Sequence, residues 1–192
     1  MGTTARLTAA GGALALVLAL AGCRGDAGAP AAPEAPSAAA APPARSTAPA
    51  DPDAAHKTAV LGAYRSMWVE QARAYRKASP DGTDLAKYAT LTALGKFRMD
   101  LRHMKKTDTV MRGELGHAPK VTGLDLRAKV PAATVQDCVD LSKWETVDTR
   151  TGKVLPLPTQ QPLRYVATAT VERWDGGRWM VTDYTPDGSR TC

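Results

Sequence analysis

The sequence contains no isoleucine, no asparagine and a single phenylalanine, Phe97. Without asparagine there is no acceptor for N-glycosylation. Its three histidines, His56, His103 and His117, are scattered along the chain and form no metal-binding motif. Neither Cys138 nor Cys192 has a histidine at ligand spacing, which excludes a zinc pair. There is no nucleophile elbow, no HExxH, no phosphate loop and no dinucleotide fingerprint. Internal repeats are absent as well. These absences leave no catalytic motif, no metal and no cofactor to be expected. Beyond residues 7–21, no apolar run approaches the roughly 20 residues a spanning helix needs.

What is present begins at the N-terminus. Arg6 precedes the short apolar stretch Leu7 to Ala21, the charged n-region and h-region of an export signal. The stretch ends in Leu20-Ala21-Gly22-Cys23, which resembles the bacterial lipobox. That resemblance implies a signal peptide over residues 1–22 and a lipid-bearing Cys23 at the mature terminus. Each buried CH₂ of an acyl chain stabilises membrane association by about 0.8 kcal/mol, so two or more chains hold firmly. The expected location is the outer face of the cytoplasmic membrane.

With Cys23 lipidated, Cys138 and Cys192 are left in an oxidising compartment, and a disulfide between them is expected. Residues 24–54 are almost all alanine and proline with glycine and a few polar groups, without aromatic, leucine, valine or methionine. Such a segment buries too little apolar surface to offset its ordering entropy, so residues 23–54 read as a lipidated tether. At about 3.1 Å per residue, a polyproline-like tether reaches roughly 90–100 Å.

The formal charge of the chain is +6. Setting aside Arg6 and the tether, where Arg24 and Arg45 meet Asp26, Glu34, Asp51 and Asp53, leaves the rest near +7. A basic domain outside the cell suits anionic lipid head groups or wall polymers, and nucleic acid is not an expected partner.

Residues 55–192 carry the fold. Asp51-Pro52-Asp53 offers an N-cap, a proline at the first helical position and an acid in the first turn. From there Val60, Leu61, Tyr64, Met67, Trp68, Ala72 and Tyr75 recur at helical steps, and Ser79-Pro80-Asp81-Gly82 predicts the end. Thr83 caps a second helical stretch through Leu85, Tyr88, Leu91, Leu94, Phe97, Leu101 and Met104 to Lys106, with Gly95 as the expected kink or break into two helices. After Thr107 the period changes to alternation. Strands are predicted at 108–114, 119–127, 131–140, 143–148 and 162–174, with a return strand over 178–184 behind the Asp175-Gly176-Gly177 turn. Helices followed by an antiparallel meander predict an α+β domain, its N-terminal helices packed on a curved antiparallel sheet.

The hairpin Trp174-Asp175-Gly176-Gly177-Arg178-Trp179-Met180-Val181-Thr182 and the strand Val135-Gln136-Asp137-Cys138-Val139-Asp140 carry a family likeness. In these the chain resembles actinobacterial lipoproteins with a nuclear-transport-factor-2-like domain, the cone-shaped fold shared with SnoaL-like cyclases. The likeness covers residues 55–192. It implies a cone that holds a small apolar ligand, packs solid, or dimerises through its sheet.

Candidate residues follow from this frame. The cone lining is expected from Trp68, Tyr75, Tyr88 and Phe97 on the helices and Tyr165, Trp179 and Tyr184 on the strands. Simple alternation puts Asp137 with Val135 and Val139, and Asp183 with Trp179 and Val181, making both candidate polar cone residues. His103 is expected in solvent and His117, before Ala118-Pro119, in a loop. Lys96, Arg98, Arg102, Lys105 and Lys106 form the expected basic surface. The first expectation is a non-catalytic binding or accessory domain for a small hydrophobic ligand or an envelope protein. An interaction scaffold with a packed cone and a SnoaL-like enzyme are the alternatives.

Overall fold

A computed structural model describes residues 51–192. The expected signal peptide, the expected lipidation site Cys23 and most of the expected tether lie outside the described residues. The order is α1 (Ala54–Tyr75), α2 (Leu85–Tyr88), α3 (Leu91–Lys106), β1 (Thr109–Gly113), β2 (Gly116–His117), β3 (Lys120–Asp125), β4 (Ala132–Asp140), β5 (Trp144–Asp148), β6 (Val154–Leu155), β7 (Arg164–Trp174) and β8 (Arg178–Asp187). This is an α+β arrangement in which every pairing between strands is antiparallel.

α1 follows its apolar stripe. Val60, Ala63, Tyr64, Met67, Trp68, Gln71, Ala74 and Tyr75 are buried at three- and four-residue steps. Its ends differ from the sequence reading. The helix starts at Ala54 with Asp53 as N-cap, while the Asp51 carboxylate accepts the Asp53 N–H at 2.9 Å and the Lys57 ammonium at 2.7 Å. It stops at Tyr75 rather than near Ser79, because Ala78 turns left-handed at φ 48° and Ser79 N–H closes onto Ala74 O at 3.1 Å.

The second helical stretch breaks at Ala89–Thr90, not at Gly95. There Ala89 bridges to Val181, and Thr90 N–H donates to Val181 O at 2.9 Å. A sheet contact thus wins over helical propagation. The new helix turns Leu91 outward, 59 % exposed, although its spacing suits a buried position.

The larger sheet runs β2-β4-β7-β8, with β3 beside β2 on the same edge of β4; the smaller runs β1-β5-β6. Val135, Val139, Ala167, Ala169, Val171, Trp179, Val181 and Tyr184 share one core with α1 and α3. Gly113 joins β1 to the smaller sheet at φ +78°, and a Cβ there would lie 1.8 Å from the Lys143 carbonyl oxygen. Only glycine fits that position.

Cys138 and Cys192 form the expected disulfide, with Cα atoms 5.9 Å apart. Cys138 pairs with Val166 across β4 and β7, and Val166 N–H donates to Arg190 O at 2.8 Å. The C-terminal tail is thereby tied back across β7. This contact explains why Val166 is buried although its neighbours Ala167 and Ala169 take the core face.

Candidate functional site

The edge of the larger sheet is interrupted where a site can form. β2 pairs with β4 through Gly116–Asp140 and His117–Val139, and β3 resumes at Lys120–Gln136. Between them lie Ala118 and Pro119, opposite Asp137 and Cys138. Proline brings no N–H to the ladder, so a break here is physically natural. The Asp137 side chain occupies the gap. One oxygen, Oδ1, accepts Ala118 N–H at 2.7 Å, while Oδ2 accepts Tyr64 O–H at 2.9 Å and meets His117 Nδ1 at 2.6 Å.

Asp137 is 1 % exposed, so three donors replace the water it has left. Burial first, and then the Asp137 charge, raise the Tyr64 phenol well above its ordinary range, which keeps it an O–H donor. Both carboxylate oxygens already accept, Oδ1 from Ala118 N–H and Oδ2 from Tyr64 O–H, so the hydrogen of the third contact belongs to the ring. His117 therefore carries hydrogen on Nδ1, and Nε2 is the free position of the ring. No described residue hydrogen-bonds Nε2.

His117 is thus a strand residue with a buried partner, correcting the loop assignment. Its signal was in the sequence: Asp137 alternates inward with Val135 and Val139, and a His-Ala-Pro run marks an interrupted edge strand.

The imidazole lies against Trp68, with ring centroids 4.6 Å apart and planes at 35°. Trp68 in turn meets Tyr64 at 6.1 Å, Phe97 at 6.1 Å and Tyr184 at 5.0 Å, all edge-on. Such pairs contribute roughly 0.5–1.5 kcal/mol beyond area burial. The indole Nε1 is buried without a hydrogen-bond partner among the described residues.

Two clefts flank this tryptophan. The first, about 490 Å³, has His117 and Tyr64 at its floor, Val69, Ala72 and Leu115 in its walls, and Arg65, Arg73, Arg76 and Glu114 around it. The second, about 410 Å³, lies between α1, α3 and the strands. Trp68, Tyr75, Phe97, Tyr165 and Tyr184 all line it, so five of the seven expected lining residues come together. Burial first, then Tyr165, raises the Tyr184 phenol; the two hydroxyls are 3.5 Å apart. Tyr88 and Trp179 line neither cleft: Tyr88 is half-buried at the core edge, and Trp179 is packed into the core at 5 % exposure.

Asp183 departs from its expected place. The β7–β8 register pairs Thr170 with Asp183 but Val171 with Val181, leaving Thr182 as an extra residue. This bulge reverses the alternation. Tyr184 takes the core side, and Asp183 turns out to bind Lys96 Nζ at 3.0 Å. Lys96 also donates to Tyr184 O at 2.7 Å, so it clamps α3 to β8 rather than belonging to a free basic face. Arg98, Arg102, Lys105 and Lys106 are exposed, and the first three border a shallow groove beside Pro80 and Asp81. His103 is exposed too.

Among the described residues no three His, Cys, Asp or Glu side chains are grouped to hold a metal ion, and no helix is long and apolar enough to cross a membrane. No family model and no curated protein matches the chain. Among solved structures it is similar to the crystal structure of the intermembrane space region of chloroplast protein ARC6. That likeness has 10 % identity and a TM-score of 0.47, over 71 % of this chain and 97 % of the other.

Proposed function

We propose that this chain is a membrane-anchored, extracytoplasmic lipoprotein whose nuclear-transport-factor-2-like domain binds a small hydrophobic ligand without transforming it. Cys23 supplies the anchor, and the alanine- and proline-rich segment spaces the domain from the membrane. Arg98, Arg102, Lys105 and Lys106 face anionic head groups. The observation that carries the binding reading is Trp68, an aromatic wall shared by two clefts. Mostly apolar walls around a few convergent polar groups are the usual makeup of a ligand site.

A scaffold that docks through its sheet is less well supported. The outward side of β7 is mostly polar, with Arg164, Thr168, Thr170 and Glu172; Val166 is buried and Trp174 is the one exposed aromatic there, at 39 %. An enzyme reading draws on His117 alone, since Asp137 is fully engaged and Asp183 is held by Lys96.

Native mass spectrometry of the full chain, extracted from its own membranes, tests the binding reading. A lipid-like adduct is expected that leaves on collisional activation while the acyl groups on Cys23 stay. Trp68→Ala is expected to lose that adduct. A protein free of non-covalent adducts, and still so after incubation with its host's lipid extract, contradicts the reading.

A further inference from the structure

We infer that the cleft above His117 takes a single-chain amphiphile by its carboxylate, with the head on His117 Nε2 and Arg65 and the chain along Trp68, Val69 and Leu115. This rests on the binding reading above and names the ligand class for one of the two clefts.

The polar floor of the cleft has one available group. Tyr64 O–H and His117 Nδ1 are both committed to Asp137, whose two oxygens already meet three donors. His117 Nε2 is what a bound ligand would find. Held in place by a buried carboxylate, the ring takes the proton of a carboxylic acid at Nε2, or, with hydrogen already there, donates a hydrogen bond through it to a carboxylate. The same N–H···O contact results in both cases, with the ligand head anionic. A neutral alcohol gains only an uncharged hydrogen bond there, roughly half as strong.

The rim has the matching charge. Arg65, Arg73 and Arg76 border the cleft against one acid, Glu114. Arg73 is paired with Glu70 at 2.7 Å, and Arg76 donates to Gly113 O at 3.3 Å. Arg65 is exposed and has no ion pair among the described residues. A guanidinium offers a planar fork to a carboxylate, so one arginine and one imidazole hold a single head group.

The walls select the rest of the ligand. Trp68, Val69, Ala72 and Leu115 are apolar, and Val69 is 53 % exposed on a helix face that also carries Arg65, Arg73 and Arg76. A cleft of about 490 Å³ falls within the ordinary range for small-ligand pockets, and holds one chain more readily than two.

Isothermal titration calorimetry of the full-length oxidised protein, with decanoate and decanol below their aggregation limits, tests the inference. Decanoate is expected to bind at least ten-fold more tightly than decanol. His117→Asn keeps an amide donor near the Nδ1 position and removes Nε2; it is expected to weaken decanoate ten-fold or more and decanol much less. Arg65→Glu, at an exposed position, is expected to do the same without disturbing the fold. Trp68→Ala is expected to weaken both probes. Equal affinity for the two probes, or decanoate binding untouched by His117→Asn and Arg65→Glu, overturns the carboxylate assignment while leaving the binding reading intact. Capture by anionic vesicles that Arg65→Glu abolishes, with no decanoate binding, also overturns it and assigns the arginines to a membrane surface. If neither probe binds and no adduct is found by mass spectrometry, both readings fall.

Discussion

Removing the Cys138–Cys192 bond, by reduction or by Cys192→Ala, is expected to lower the unfolding free energy by about 4 kcal/mol. The bond spans 54 residues, from β4 to the end of the chain. In the unfolded chain that closure removes entropy on the scale just given, and in the folded state it holds the tail across β7. Without it the Val166–Arg190 hydrogen bond loses its tether, and Val166 is uncovered on the outer side of the sheet. A single domain is stable by only about 5–15 kcal/mol, so the loss is a large share of the total. Urea unfolding with and without reductant measures it. Coincident midpoints would mean that the bond contributes nothing to the fold.

Asp137→Ala is expected to cost a further, separate 3–5 kcal/mol or thereabouts, on the scale of breaking a buried charged network. Three donors lose their acceptor at once: Tyr64 O–H, His117 Nδ1–H and Ala118 N–H. Tyr64 is 1 % exposed and has no water to turn to. The interrupted edge between β2 and β3 then has neither ladder nor side chain to close it. Asp137→Asn is the informative companion. The amide keeps one acceptor oxygen and the shape of the carboxylate, so a smaller loss is expected, about 1–3 kcal/mol for the group left unsatisfied. Its NH₂ also turns the His117 tautomer round, placing hydrogen on Nε2. Thermal unfolding of both variants, alongside amide spectra to verify the fold, separates the two effects. Equal losses for Ala and Asn would show that the shape and the acceptor oxygen kept by the amide contribute nothing at this position.

Much of the architecture is legible in the sequence because it is written in local periods. β4, β7 and β8 are long enough for alternation to identify them, and the two glycines of the turn between β7 and β8 sit at φ near +80° and +78°. The stripe of α1 is equally plain. What escapes is set by contacts distant along the chain. The helical break at Ala89 is imposed by Val181, ninety-odd residues away, and no local breaker marks it. β2 and β6 have two residues each, too few for any period. The bulge at Thr182 sends Asp183 to the surface, and nothing in a run of Met-Val-Thr-Asp-Tyr announces it.

The candidate site divides in the same way. Asp137 is readable as inward from alternation within one strand. Its partners are not, since Tyr64 comes from α1 and His117 from a two-residue edge strand. The aromatic residues of the second cleft are readable as a set from their helical and strand spacing. Tyr88 and Trp179 fall outside it, because spacing gives the face a residue takes and not its height along the element. Lys96 shows the opposite limit: a lysine in a basic run reads as surface, yet its ammonium reaches β8 and fastens α3 there.

The central claim is that Asp137 holds His117 with Nε2 toward a ligand cleft. Long-range ¹⁵N–¹H correlation spectra of the imidazoles in the full-length oxidised protein, with and without the host's lipid extract, test it directly. The expected result is a single His117 tautomer with hydrogen on Nδ1, whose Nε2 resonance moves on addition of the extract while that of exposed His103 does not. A His117 that samples both tautomers and stays unmoved by the extract would contradict the account.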